Sequence, residues 1–218
     1  MSVVEELYDY DELRTLKVPT MIVARIERTT LVLGSAQSRD VIDPTSLGAT
    51  SLRRRRGGGG LVLLQPRDLW VDWWVPRGDL RWSPDVHVSS LLAGSWWVEA
   101  LEPFVDTPVV VHQGALEGAA AHRVVCFAGR GPGEVFVEGR KLVGVTQWRV
   151  REGVFLSSVL HVEGTVDVLK YLAHIPEGLA AALDIDRAPF VRLEEQALLS
   201  RLEHTSGPWG QRTLHVVS

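Results

Sequence analysis

The sequence predicts an α+β fold, in which a mixed or antiparallel sheet packs against helices. Residues 134–164 (EVFVEGRKLVGVTQWRVREGVFLSSVLHVEG) alternate in apolar character around two glycine-containing turns, which indicates three consecutive antiparallel strands. The segments after them look helical, and strands followed by helices favour α+β over alternating βαβ units. With 45% hydrophobic and 23% charged residues, the composition is that of an ordinary globular chain.

The first half of the chain contains further strand patterns. Residues 20–34 (TMIVARIERTTLVLG) form two β-branched runs with a turn near residues 27–29. Residues 61–65 (LVLLQ) and 68–76 (DLWVDWWVP) are apolar runs on either side of a proline-containing turn. They predict a hairpin or two neighbouring strands.

A helix is predicted over residues 84–102. Ser83 suits the N-cap and Pro84 the first helical position. Apolar residues then recur at helical spacing, at Val88, Leu91, Leu92 and Trp96.

The remaining segments are assigned by the same patterns. Residues 108–113 (PVVVHQ) and 122–127 (HRVVCF) predict strands. Residues 165–175, 176–185 and 189–204 predict helices. The last of these places Leu193, Ala197, Leu198 and Leu202 on one face.

Global properties narrow the class of protein. A length of 218 residues suits one domain, so we expect residues 1–218 to form a single domain without an accessory domain. A net charge of −4 disfavours a general nucleic-acid binder. One cysteine, an acidic N-terminus and no long apolar run predict a cytoplasmic protein that is not inserted in a membrane.

Residues 52–65 (LRRRRGGGGLVLLQ) combine four arginines with four glycines. Three interpretations are open: a flexible linker, a basic patch, or a built anion site. Strand patterns on both sides disfavour the linker. Glycine lets a ligand approach the backbone, and successive N–H groups converge on an anion. Guanidinium groups bind phosphate or carboxylate in a bidentate manner, which favours the anion site.

Lys141 is one of three lysines, against twenty arginines among the 23 basic residues. It follows a tight turn and enters a predicted strand, with Gly144 three residues later. An exposed edge-strand lysine and a functional cation are both compatible with this position. No histidine spacing suits a metal, so no metal site is predicted.

Together, the two segments resemble the lipoate–protein ligase family. RRRRGGGG and the apolar run after it resemble Arg-Arg-x-Ser-Gly-Gly-Gly-Ala-Val of that family, and GRKLVGVTQWR resembles its Gly-(Arg/Lys)-Lys-(Ile/Val)-x-Gly-(Ser/Asn)-Ala-Gln-x-Arg. The order of the motifs and their separation also match. The resemblance covers most of residues 20–165.

The resemblance implies the α+β catalytic domain shared with biotin–protein ligases. It implies activation of lipoate or octanoate by ATP, with Mg²⁺, and no permanently bound cofactor. The acyl group then passes to a lysine of a lipoyl carrier domain, either the glycine cleavage H protein or a 2-oxoacid dehydrogenase E2 subunit. Lys141 becomes the catalytic candidate. The candidate substrate- and nucleotide-binding residues are Arg54, Arg55, Gly57, Gly58, Gly59, Gly60, Leu61, Gly144 and Thr146.

Three alternatives stay open. Cys126 lies fifteen residues before Lys141, as in the thioester-forming octanoyltransferases of the same superfamily, which take the acyl group from acyl carrier protein. A non-catalytic member that binds an acyl ligand or a carrier is the second. It is motivated by Leu64-Gln65 in place of the family's His-Asp and by Leu156-Ser157-Ser158 in place of its His-His-Gly. Nucleic-acid binding by residues 53–56 is the third.

Overall fold

A computed structural model describes residues 4–162, 167–186 and 194–218. The helices within these ranges are α1 (Tyr10–Leu13), α2 (Val86–Leu101), α3 (Leu179–Asp186) and α4 (Glu195–Ser206). The strands are β1 (Thr20–Ile26), β2 (Thr30–Leu33), β3 (Ser51–Arg54), β4 (Val62–Leu64), β5 (Leu69–Pro76), β6 (Val109–Val111), β7 (Val135–Val137), β8 (Arg140–Val150), β9 (Gly153–Leu160) and β10 (Gln211–Val217). No helix in the described ranges is long and apolar enough to cross a membrane.

The strands form two sheets. The larger has seven strands in the order β10-β1-β5-β9-β8-β7-β6, and the smaller has three in the order β3-β2-β4. In the larger sheet β1 and β10 are parallel and the other neighbours are antiparallel. The predicted α+β class with a mixed sheet is confirmed.

The large sheet is covered on both faces. Helices α2 and α4 pack on one face, where Trp73, Trp97 and Leu198 are buried. The small sheet, the N-terminal segment and α3 cover the other face, where Trp70 and Phe155 are buried. Strands β5 and β9 consequently have almost no exposed positions, and each carries apolar side chains on both of its faces. The candidate site lies on the face covered by the small sheet.

The three consecutive strands after residue 134 are confirmed as β7, β8 and β9. Glu138 and Gly139, between β7 and β8, have φ angles of 52° and 76°. A two-residue hairpin turn requires this left-handed backbone. Arg151 and Glu152 connect β8 to β9.

The prediction that residues 61–65 and 68–76 pair with each other is wrong. Strand β4 belongs to the small sheet and β5 to the large one. The turn between them crosses from one sheet to the other, and the Asp68 carboxylate accepts the N–H of Gln65 there. An apolar run buried on both faces carries no signal that identifies its partner strand.

The predicted strand at residues 122–127 is also wrong. This segment forms two short 3-10 turns, Ala120–Val124 and Cys126–Ala128. Its backbone is engaged by Leu61, whose N–H donates to Val124 and whose carbonyl accepts from Cys126. A non-local contact therefore replaces the pairing that its β-branched residues favour.

The predicted helix over residues 84–102 is present as α2, but its N-cap is Asp85 rather than Ser83. The Asp85 carboxylate accepts the N–H groups of His87 and Val88. A carboxylate accepts two donors there, where the Ser83 hydroxyl instead accepts the N–H of Asp85.

The C-terminal predictions are partly wrong. Residues 163–166 and 187–193, including Leu193, lie outside the described ranges. The rest of the first predicted helix contains only the 3-10 turn Leu169–Tyr171, because Leu172 bridges to Ile42 instead. Helices α3 and α4 are present, and α4 buries Leu198 and Leu202 with Ala197 half-buried. Strand β10, strand β3 and helix α1 were not predicted.

Candidate active site

The glycine segment is a loop organised around the Arg55 side chain. Arg55 is only 1% exposed. Its guanidinium donates to the carbonyls of Gly58 (2.7 and 3.2 Å), Gly60 (2.7 Å) and Val32 (3.3 Å). A buried charged donor that binds several carbonyls holds them in one arrangement. The linker interpretation of the glycines therefore fails.

The carbonyls of Gly57, Gly58 and Gly60 accept hydrogen bonds, whereas the glycine N–H groups of the loop have no acceptor in the described part of the chain. The Gly58 carbonyl also accepts from Thr146 Oγ1 (3.0 Å), and the Gly60 carbonyl accepts from Cys126 Sγ (3.2 Å). Within the described ranges, none of the N–H groups of residues 57–60 donates to an acceptor. Gly59 has a φ of +85°, a backbone conformation that suits glycine. Adjacent unpaired N–H groups are the ordinary structure of a backbone anion site.

The other three arginines have partners of their own. Arg53 pairs with a carboxylate, Arg54 donates to three backbone carbonyls, and Arg56 pairs with two carboxylates while it stacks on two aromatic rings. These partners are Glu5 for Arg53, then Gly34, Ser35 and Gln37 for Arg54, and Glu6, Asp11, Tyr10 and Trp148 for Arg56. Contacts within the chain thus separate the four positive charges. The interpretation that an anion among the arginines is needed to explain the run is not supported by these contacts.

Lys141 is buried and paired with an unpredicted partner, Glu134. The Lys141 Nζ–Glu134 Oε2 distance is 2.7 Å, with the side chains 1% and 9% exposed. Lys141 also donates to the Cys126 carbonyl (2.7 Å) and lies over the Phe127 ring. Burial raises the pKa of Glu134, and the Lys141 ammonium and the N–H of Gly131 oppose that rise.

An irregularity in the sheet accompanies the position of Lys141. The pairing of β7 with β8 shifts register between Val135 and Phe136, and Phe136 is the partner of Lys141. Leu142 and Val143 both pack in the helix-side core, while Lys141 contacts the opposite side. A β-bulge re-aims a side chain in this way. The sequence signal for Glu134 is a single acidic residue at the start of an apolar strand, one hairpin away from the lysine.

Cys126 joins Lys141 to the glycine loop. Its carbonyl accepts from Lys141, and its half-buried sulfur lies 3.2 Å from Arg55 Nη2. The predicted positions on the glycine loop and on the lysine strand therefore meet at one place in the fold.

A narrow cleft lies between the glycine loop and the face of the large sheet. Its floor consists of two rows across β8, β9 and β5. Its roof includes Arg55, Val62 and Cys126. The rows are Thr146–Ser157 and Gly144–Val159–Trp70, each made of residues that pair in register. The cleft volume is about 20 Å³, the room of one water molecule. A larger ligand enters only when the roof or the side chains move.

The register partner of Ser157 on β5 is a buried carboxyl group, Asp72, which the sequence analysis did not single out. Asp72 Oδ1 accepts from Ser157 Oγ (2.7 Å) and from the N–H of Ser158 (3.2 Å). Burial raises the pKa of Asp72 to about 7, although these two donors lower it. No sequence pattern reveals it, because it lies inside the apolar run of β5.

Comparisons with known proteins identify the fold. No protein-family model and no curated protein matches the sequence. A crystal structure of lipoate-protein ligase A bound with ATP covers 100% of this chain, and 90% of its own, with a TM-score of 0.69 at 15% identity. A structure from a study of a bi-partite lipoate protein ligase and its E2 lipoyl domain, from Thermoplasma acidophilum, gives a TM-score of 0.68 at 15% identity, with 97% of this chain and 81% of that chain covered. The chain has the lipoate–protein ligase fold.

A second T. acidophilum structure, with bound lipoic acid, has a TM-score of 0.68 at 14% identity, with 97% of this chain and 83% of that chain covered. At such identities the likeness of this chain to lipoate–protein ligases concerns the fold. The residues from which the resemblance was recognised lie on the glycine loop and on β8 of that fold.

The other predicted site residues of this lipoate–protein ligase fold fall around the same loop. Leu61 is fully buried behind it, Gly144 lies beneath Phe127, and Arg54 supports the neighbouring turn. Trp70 lines the cleft, whereas Trp73, Trp96 and Trp97 pack in the helix-side core and Trp74 in the opposite core. Among the residues with described positions, no group of three His, Cys, Asp or Glu side chains is placed to hold a metal ion.

Proposed function

We propose that this protein transfers a lipoyl or octanoyl group to a lysine of a lipoyl carrier domain through an acyl-adenylate. One observation carries the proposal: Cys126 contacts both the glycine loop, through Arg55 and the Gly60 carbonyl, and Lys141, through its own carbonyl, so the two predicted segments meet at one place. Solved proteins of the same fold support it, since one is bound with ATP, one holds lipoic acid, and one is described together with its E2 lipoyl domain. In this proposal residues 1–218 act as one catalytic domain in the cytoplasm.

The proposed reaction consists of two steps, formation of the acyl-adenylate and transfer of the acyl group. A carboxylate oxygen of the acid attacks the α-phosphorus of ATP, and pyrophosphate leaves with its Mg²⁺. The carrier lysine amine then attacks the acyl carbonyl, AMP leaves, and the amine loses a proton. Negative charge develops on phosphoryl and carbonyl oxygens in both steps. Preorganised N–H groups in a water-excluded site stabilise such charge effectively.

Lys141 helps to stabilise the same negative charge once its ammonium has changed hydrogen-bond partner. At rest, Glu134 neutralises its ammonium. When a phosphate or acyl oxygen arrives beside Cys126, the ammonium shares its donors between Glu134 and the new anion. The paired state keeps a buried charge compensated while the site is empty of substrate.

Access to the cleft depends on the loop. The Thr146 hydroxyl and the Arg55 guanidinium both bind the Gly58 carbonyl and hold the loop against β8. Because the cleft has room for about one water molecule, an acyl chain binds only when this contact loosens. The site thus closes around its substrate after entry.

Cys126 supports a second candidate, an octanoyltransferase that works through a thioester. Its half-buried sulfur lines the cleft and lies 3.2 Å from Arg55 Nη2. In this route the thiolate attacks the acyl thioester of acyl carrier protein and releases that carrier's thiol. The lysine of the lipoyl domain then takes the acyl group, and Cys126 regains its proton.

The test is transfer to a carrier. Protein, ATP, Mg²⁺ and lipoate or octanoate are incubated with a lipoyl domain of an E2 subunit or of an H protein, and the carrier is weighed by intact mass spectrometry. We expect an acylated lysine together with AMP, and loss of both in Lys141→Met but not in Lys170→Met, a lysine on a separate turn. Transfer that is independent of ATP would refute the adenylate. Full activity of Cys126→Ala would refute the thioester.

A further inference from the structure

The fourth arginine of the run, which directly precedes the glycines, is bound by two carboxylates of the N-terminal segment. Arg56 donates to both oxygens of Glu6 (2.8 and 2.9 Å) and to both oxygens of Asp11 (3.0 and 3.0 Å). Its Cζ also lies 5.3 Å from the ring centroid of Tyr10 and 5.1 Å from that of Trp148. Bidentate carboxylate pairs fix the orientation of a guanidinium as well as its position. Arg56, Glu6 and Asp11 together form the Arg56 clamp.

The two carboxylates of the clamp belong to a part of the chain that is fixed to the sheet. The N–H of Leu7 donates to the Arg54 carbonyl (2.8 Å), and the N–H of Arg54 donates to the Glu5 carbonyl (2.9 Å). Helix α1 follows, and its Tyr10 is buried in the core on the cleft side. The carboxylates therefore keep their positions when the guanidinium leaves them.

The first half of the glycine loop has room to move, whereas the second half is packed. A Cβ at Gly60 would lie between 2.6 and 2.7 Å from backbone atoms of residues 123–125, and Leu61 shares two backbone hydrogen bonds with the same part of the chain. Among the described residues, no atom lies within 4 Å of a Cβ placed on Gly58. A rearrangement that opens the cleft therefore takes place in the first half of the loop, which starts at Arg56.

The clamp is accessible to water. The Arg56 side chain is 25% exposed, and those of Glu6 and Asp11 are 38% and 64% exposed. Exposed ion pairs separate at a small cost, because water solvates the charges once they are apart. The clamp therefore breaks and re-forms easily, in contrast to the buried pair of Lys141 and Glu134.

We propose that Glu6 and Asp11 position the first half of the glycine loop through Arg56, and that Arg56 leaves them whenever the acyl acid enters or leaves the cleft. This inference rests on the proposed function in one respect, namely that lipoate or octanoate binds under the loop. The clamp holds the loop closed both before and after binding, so it determines the rates of entry and exit and leaves the affinity nearly unchanged. Glu6 and Asp11 are thus positioning residues that act through Arg56.

Stopped-flow fluorescence measures both rates without ATP and without a carrier. Lipoate or octanoate is mixed with the protein, and the tryptophan emission follows binding, since Trp70 lines the cleft. We expect the double variant Glu6→Gln/Asp11→Asn to raise the association and the dissociation rate constants together by about threefold to tenfold, with Kd constant within about twofold. Unchanged rate constants would overturn the proposal. So would a rise in the dissociation rate constant alone, which is the effect of carboxylates that stabilise only the bound state.

Two further variants separate the clamp from its charge. Glu5→Gln/Glu12→Gln removes the same number of charges from the same segment, but Glu5 pairs with Arg53 and neither residue binds Arg56, so we expect the wild-type rate constants. Arg56→Lys keeps the charge and loses the planar fork, so we expect both rate constants to rise as in the double variant. Equal acceleration by the two carboxylate double variants, or wild-type rates in Arg56→Lys, would contradict the clamp.

Thermal unfolding of each variant verifies that it is folded before its rates are compared. If the wild type binds neither acid, the proposed function fails together with this inference. If the wild type binds and the clamp variants leave its rate constants unchanged, only this inference fails.

Discussion

The ammonium of Lys141 and the carboxylate of Glu134 lie 2.7 Å apart inside the protein. Both groups are almost completely excluded from water, and the ion pair stands beside Cys126 and the glycine loop. The lysine that the sequence singles out is therefore compensated before any substrate arrives. Its role in the proposed function depends on a second residue, Glu134, which belongs to no recognised motif.

Replacement of Glu134 by glutamine tests this dependence. Glu134→Gln leaves the Lys141 ammonium buried without a counter-ion, so we expect the free energy of unfolding to fall by about 3 kcal/mol. Chemical denaturation measures it. Glu203→Gln breaks an exposed pair with Arg212 and serves as the control, with an expected change of about 0.5 kcal/mol or less. Equal effects of the two variants would show that the buried pair is not coupled as described.

Replacement of Arg55 by lysine tests the organisation of the loop. Lysine keeps the positive charge but cannot bind the Gly58 and Gly60 carbonyls together through a planar fork. We expect a loss of about 2–3 kcal/mol in stability, because buried carbonyls lose their donor, and loss of acyl transfer. Arg53→Lys, on the preceding strand β3 and in a partly exposed pair with Glu5, is the control and retains both. Wild-type turnover in Arg55→Lys would contradict the account of the loop.

Replacement of two glycines of the loop by alanine is expected to change the stability by different amounts. A Cβ at Gly60 would lie 2.6 Å from the Arg123 carbonyl oxygen, so Gly60→Ala forces the backbone apart and costs about 2–3 kcal/mol. A Cβ at Gly58 meets nothing within 4 Å, so Gly58→Ala changes stability by about 0.5 kcal/mol or less.

Gly58→Ala also tests whether a ligand occupies the open space beside Gly58. Its methyl group stands beside the unpaired N–H groups, so we expect transfer to fall at least tenfold in a normally stable protein, an increase of about 1.4 kcal/mol in the barrier. Thermal unfolding and carrier acylation, measured on one preparation, separate the two effects. Unchanged acylation by Gly58→Ala would show that no ligand uses that space.

Asp72 predicts a characteristic pH dependence of stability. Burial raises the pKa of Asp72 from its ordinary value of 3.8 to about 7 in the folded protein. Between these values the folded state holds a proton that the unfolded state has released, so stability falls as pH rises through the window and levels off above pH 7. Asp72→Asn removes this slope, and its advantage over the wild type grows with pH to about 4 kcal/mol at most.

Asp79→Asn is the control, because the pH dependence of its effect on stability has the opposite sign. The Arg81 guanidinium lowers the pKa of Asp79, so its contribution is present above the unfolded pKa and is lost as the pH falls. Denaturation curves from pH 4 to 8 compare the two variants. A flat difference between the wild type and Asp72→Asn would mean that Asp72 titrates as an exposed carboxyl.

Sequence reasoning recovered the features that local chemistry determines. The β7–β8–β9 hairpins follow from alternation and from a turn that requires positive φ at Glu138 and Gly139. The glycine loop and Lys141 were recognisable from residue types and order. Their meeting through Cys126 is a property of the fold that the paired motifs implied.

The errors share one cause: the structure of each segment is determined by a partner that lies far away in the sequence. The strand propensity of residues 122–127 lost to backbone bonds with Leu61. The partner of β5 was hidden because both its faces are buried. Asp72 and Glu134 become visible only when the register across β5, β9 and β8 and the bulge opposite Lys141 are known.

The most direct measurement is mass spectrometry of the protein itself after incubation with ATP, Mg²⁺ and octanoate or lipoate. The account predicts a bound acyl-adenylate that is seen under native conditions, disappears under denaturing conditions, and is absent in Lys141→Met. A covalent acyl adduct on Cys126, or no bound acyl species at all, would contradict it.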